Sequence, residues 1–188
     1  MAHSTAALEH PLVPHGSNVG SAAFEIVARA EVEGGSTLRF SYRLTGDVSQ
    51  LAVPHRWRSQ RAERLWEHTC FEGFIAPASG ARYFELNFSP STQWAAYVFD
   101  DYRKGMRPLE VSAAPSITAT KTPNELHVTA ALEVGAFDDA PWPWRIGLTA
   151  VVEDRAGGRA YFALKHPREK PDFHDAAGFA ALLDGSVR

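Results

Sequence analysis

Alternation of apolar and polar residues runs along most of the chain. AFEIVARAEVEGGSTLRFSYRLTG, residues 23–46, reads as two alternating runs folded back around Gly34-Gly35, a glycine pair suited to a tight hairpin. The runs at 69–76, 82–89 and 93–99 are separated only by APASG and SPST, which predicts three consecutive strands joined by short turns. PSITATK and ELHVTAALEV pair around Pro123-Asn124, and WRIGLTAVVED and GRAYFALKH around Gly157-Gly158. QLAVPHRWRSQRAERLWEH, residues 50–68, is basic, proline-broken and aperiodic, and reads as a long surface connection. Helical spacing is confined to the short DAAGFAALL near the end. Roughly nine or ten short strands at regular intervals predict an all-β fold, an antiparallel β-sandwich or jelly roll with at most a short C-terminal helix. No repeat or linker divides the chain. One sandwich domain over 21–188, preceded by an irregular segment over 1–20, is therefore expected.

The three central strands raise the functional question, because RLWEHTCFEGFI and YFELNF each carry a glutamate inside an apolar run. Period two puts Phe71, Gly73 and Ile75 on the core face with Phe84, Leu86 and Phe88, leaving Glu72, Tyr83, Glu85 and Asn87 on the opposite face. Compact turns would set Glu72 beside Glu85, Trp94 near Asn87 and Ala96 near Glu85. Adjacent carboxylates repel unless something compensates. Three readings compete: a solvated outer face, pairing with an arginine (Arg56, Arg58, Arg61, Arg64, Arg82 or Arg103), or a ligand site. A sugar suits the third, since its hydroxyls donate to fixed carboxylate and amide acceptors while its C–H face lies on an indole such as Trp66 or Trp94.

Composition removes several classes. The 188 residues are 45% hydrophobic and 22% charged, enough for one full core. A net charge of -3 gives no basic footprint, so neither nucleic acid nor an anionic membrane is an expected partner. The single Cys70 excludes an internal disulfide and a thiolate zinc cluster. MAHSTAALEHPLVPHGSNVG has no basic-then-apolar leader pattern, and a cytoplasmic location is expected. The sequence is silent on oligomeric state.

RLWEHTCFEGFI, YFELNFSPSTQWAAYVFDDYRKGM and the closing AVVED…YFALKHPREKPDFH resemble the bacterial DOMON-like proteins, relatives of the family-nine carbohydrate-binding modules, from about residue 20 onward. The resemblance implies a β-sandwich of immunoglobulin-like appearance with its ligand on a concave sheet or rim. It also implies a tryptophan that stacks on the sugar and a downstream carboxylate that takes its hydroxyls, which the spacing of Trp66 and Glu72 matches. A second stacking aromatic should come from late in the chain, among Trp142, Trp144, Tyr161 and Phe162. Haem is the other ligand of such relatives. It would need Met106 as an axial ligand, and the absence of C-x-x-C-H excludes covalent attachment.

The expectation is thus a non-catalytic protein that binds a small saccharide, without a cofactor, through Trp66, Glu72, Tyr83, Glu85, Asn87, Trp94 and Arg103. Arg64, Tyr161, His166, Asp172 and His174 are secondary candidates. In KHPREKPDFHD the spacing matches no specific metal-ligand pattern, so Asp172 and His174 read chiefly as anchors of an extended segment, with a structural calcium as the cation case. A carboxylate-dependent hydrolase is the enzymatic alternative, with Glu72 and Glu85 as its pair. Cys70 as a nucleophile would need a partner such as His68.

Overall fold

The computed structural model describes residues 9–18 and 24–184. Its strands are β1 (His10–Pro14), β2 (Glu25–Glu33), β3 (Thr37–Thr45), β4 (Cys70–Pro77), β5 (Tyr83–Phe88), β6 (Trp94–Phe99), β7 (Arg107–Pro108), β8 (Ser116–Lys121), β9 (Glu125–Glu133), β10 (Trp144–Glu153), β11 (Arg159–Ala163) and β12 (Ala181–Leu183). All pair antiparallel, in the order β7-β6-β5-β4-β10-β11-β1-β2-β3-β9-β8, with β12 added beside β10. This sheet curls into two facing layers. The hinge is β1, whose first half pairs with β2 and whose last residues pair with β11. His10–Pro14 lies within the stretch read as irregular; its own Pro11 and Pro14 hide its strand character, and its pairing to β11 is entirely non-local.

The layers meet through the faces that alternation assigns to the core. Phe40 in β3 packs on Phe88 in β5, with ring centroids 5.4 Å apart. Tyr42 lies against Phe71 and donates to the Glu72 carbonyl at 2.7 Å. Contact is so close at β4 that a Cβ on Gly73 would stand 2.5 Å from Phe40 Cε1.

The outer faces differ, and the difference locates the site. In β3 and β9 buried and more open positions alternate, as expected for one wet face. In β4, β5 and β6 every residue is buried. The outer face of these three strands is therefore covered. One cover is the 50–68 connection, which follows a short 3-10 turn at Val48–Gln50 and carries another at Leu65–Glu67. The other is a C-terminal strap over 165–180 that leads into β12. DAAGFAALL is not a helix here. It holds a 3-10 turn at Ala176–Gly178, capped by Asp175, followed by β12 on β10. Docking outweighs the weak helical preference: Phe179 stacks on Phe74, above a Gly147 whose Cβ would come within 2.7 Å of the Phe179 ring.

Candidate functional site

Between the outer face of this sheet and its two covers lies a cavity of about 360 Å³. Its floor is Glu72 from β4, Glu85 from β5, Phe99 at the end of β6 and Val151 from β10. Trp66 from the 50–68 connection and Arg103 and Met106 from the β6–β7 loop form one side, with Arg159 and Tyr161 of β11 opposite. Pro171, Phe173 and His174 of the strap complete it.

Local devices hold each wall. Arg64 adopts the left-handed conformation at φ 60° and pairs with Glu67 at 2.6 Å, closing the turn that presents Trp66. Leu65 is buried beneath, while Trp66 stays 37% exposed against the edge of Tyr97. Arg61 donates to the carbonyls of Ala96 and Leu109, fastening the connection to the sheet margin. In the strap, Asp172 accepts from Arg103 Nη2 at 2.9 Å and from the Tyr102 hydroxyl, and Arg168 pairs with Asp175 at 2.7 Å.

The floor carries the unusual electrostatics. Glu72 and Glu85 are only 3% and 4% exposed. Glu72 sits across from Asn87, and Glu85 across from Phe74, so the two carboxyls are diagonal neighbours on adjacent strands. Glu85 Oε1 accepts from Asn87 Nδ2 at 2.7 Å, and Glu72 Oε2 has the Thr149 hydroxyl at 3.4 Å. Glu72 Oε1 has no hydrogen-bond partner. Burial pushes the Glu72 carboxyl well above the usual carboxylate range, with the Glu85 charge adding to it, and burial raises Glu85 as well. Among the described residues no arginine forms an ion pair with either acid. The nearest basic side chain is His174, with Nε2 3.7 Å from Glu85 Oε2. Tyr83 orders that histidine. Its oxygen accepts the Arg103 amide at 3.2 Å and shares a 2.8 Å hydrogen bond with His174 Nδ1, which turns Nε2 toward Glu85. Burial, reinforced by Arg103, depresses the His174 pKa to about 4, so the ring is neutral near pH 7. Burial likewise pushes the Tyr83 hydroxyl up to about 12.

No protein-family model matches the chain, and no curated protein matches it by sequence. Solved structures do. A "putative carbohydrate-binding protein" from Bacteroides uniformis superposes with a TM-score of 0.66 at 14% identity, covering 95% of this chain and 86% of that one. A family 9 carbohydrate-binding module from Caldicellulosiruptor kristjanssonii, in complex with cellotriose, gives 0.55 at 8% identity over 95% and 82% of the two chains. A family 9 module from the same organism, in complex with glucose, gives 0.52 at 9% over 95% and 83%. The likeness is one of fold.

The structure brings Trp66, Glu72, Glu85, Arg103, Tyr161 and His174 together around one cavity. Tyr83 and Asn87 share their face but stand behind it, orienting His174 and Glu85. Asp172 anchors the strap through Arg103. Arg64 supports the Trp66 turn, and His166 lies apart, donating from Nε2 to the Val13 carbonyl and packed on His15. Trp94 corrects the expected register. It pairs with Phe88 and points into the sandwich core at 5% exposure, so Ala95 and Tyr97, rather than Ala96, share the glutamate face. The cause is the Ser89–Gln93 turn, closed by Ser89 N–H to Gln93 O and using Thr92 at φ 74°, which sets β6 one residue from the expected alignment. Trp142, Trp144 and Phe162 pack with the core, leaving Tyr161 as the late aromatic in the cavity. Phe99, Val151, Arg159, Pro171 and Phe173 were not singled out by sequence, because their meeting depends on the β4–β10 pairing and the path of the strap.

Two alternatives fit poorly. Met106 and His174 line the same cavity, yet His174 is committed to Tyr83 on one nitrogen and faces Glu85 with the other. A haem plane there would rest on two buried carboxyls, so these residues do not suit the macrocycle. Cys70 is buried, its thiol raised well above the ordinary range by burial and the nearby Glu72, and His68 turns away to Glu153 at 2.8 Å. That is the setting of an inert thiol. Among the described residues no group of three or more His, Cys, Asp or Glu is placed to hold a metal ion. No helix among them is long and apolar enough to cross a membrane.

Proposed function

We propose that the protein binds a small saccharide without transforming it, as a DOMON-like relative of the family-nine carbohydrate-binding modules. The observation that carries this reading is the partly open Trp66 beside two buried acceptor carboxyls in a cavity of ligand size. Trp66 stacks on the C–H face of a pyranose, with Tyr161 and Phe173 as further aromatic walls. Glu72 and Glu85 accept its hydroxyl protons, and Arg103, oriented by Asp172, donates to ring or hydroxyl oxygens. The fold shared with saccharide-bound modules supports the same reading.

Trp66→Ala tests it. Sugar affinity measured by calorimetry should fall by at least about 30-fold, on the order of 2 kcal/mol. The unfolding free energy should change by less than about 1 kcal/mol, as the indole is not core. Collapse of the fold in this variant would instead make Trp66 structural. A Soret band in purified protein would point to haem, and release of reducing ends from polysaccharide to a hydrolase; either result overturns the proposal.

A further inference from the structure

A neutral sugar leaves the carboxyl pair incompletely explained. Its hydroxyls supply hydrogen-bond donors but bring no charge to a floor that holds two buried acids. The acceptors still available are specific. Glu72 Oε1 has no partner, Glu72 Oε2 has only the long contact to Thr149, and Glu85 Oε2 faces His174 at 3.7 Å, beyond a normal hydrogen bond. Glu72 and Glu85, which carry these three under-used oxygens on adjacent strands, both line one cavity.

The cationic groups around them form no ion pair with either acid. Arg103 is held by Asp172, and the field of Arg159 acts on Glu67. His174 is neutral near pH 7 and tied to Tyr83, while Cys70 and Tyr83 carry no charge there. A divalent ion lacks its ligand set among the described residues. What would satisfy both the open acceptors and the charge is a ligand ammonium, with three N–H donors and one positive charge. The faces of Trp66 and Tyr161 favour such a cation further.

Resting on the saccharide reading, we infer that the preferred ligand is an amino sugar with a free, protonated amine, its ammonium seated against Glu72 and Glu85. The event is non-covalent. The ammonium enters intact, and the proton that the buried pair retains when empty passes to solvent. Affinity therefore rises with pH through the raised carboxyl range, as long as the amine stays protonated.

Calorimetry on the full chain compares glucosamine, N-acetylglucosamine, glucose and cyclohexylamine near neutral pH, in two buffers of different ionisation heat. Glucosamine should bind on the order of 10-fold tighter than the three others. Its apparent enthalpy should depend on the buffer, reporting proton release. Glu72→Gln, and independently Glu85→Gln, each checked for folding by thermal unfolding, should erase the preference for the amine. If neutral sugars bind and glucosamine binds no better, this inference fails and the saccharide reading stands. If cyclohexylamine equals glucosamine, the site recognises a simple amine and the amino-sugar assignment fails. A preference that survives in both folded glutamine variants also overturns it. If none of the sugars binds, both readings fall.

Discussion

Glu72 and His174 illustrate how a single buried group links the site to stability. The folded chain holds the Glu72 proton to a higher pH than the unfolded chain, whose carboxyl titrates near 4.5. The native state therefore binds more protons, and stability falls as pH rises from about 4.5 through the raised folded value. Glu72→Gln removes that decline, so the ligand-free variant should withstand more denaturant than the parent at mildly alkaline pH. His174 acts in the opposite sense. Its pKa drops from 6.5 to about 4 on folding, so the unfolded chain takes the proton first and stability is lost as pH falls between those values. His174→Gln should abolish this acid-side loss, worth up to about 3 kcal/mol. Urea titrations of the two variants across the pH range separate the effects, since they slope in opposite directions.

At the level of strands, two glycines set the spacing on either side of the central sheet. Gly73 admits the Phe40 ring from the other layer, whereas Gly147 admits Phe179 from the strap. Gly73→Ala should cost roughly 2 kcal/mol or more of global stability, because the two layers must separate or Phe40 must leave its rotamer. Gly147→Ala should cost less in unfolding, but should weaken sugar binding by displacing the strap that carries Phe173 and His174. Denaturation midpoints alongside calorimetry distinguish these outcomes. The glutamate face was legible from sequence for a simple reason: within YFELNF one parity class is wholly apolar and the other is not. WAAYVF offers no such contrast, as both of its parity classes are apolar, and so the turn rather than the pattern decides where Trp94 points.

Across the whole molecule, the all-β antiparallel architecture was readable because the strands other than β1, β7 and β12 announce themselves by alternation or by a turn. The cavity was not. Its walls come from residues 66, 103, 159–161 and 171–174, joined by the pairing of β4 with β10 and by a strap without periodicity. The same non-locality governs kinetics: Val13 meets Ala163, closing the curl through residues far apart in sequence. Refolding followed by tryptophan fluorescence should accordingly take milliseconds to seconds, as for other β topologies dominated by distant pairings. The strap has a consequence for biosynthesis. A ribosome delivers Pro171–His174 only after β1 to β11 have emerged, so the two layers can associate while the hollow still lacks a side. Sugar retention would then discriminate finished molecules from nascent ones, serving as an end-point assay of maturation in a cell-free translation reaction.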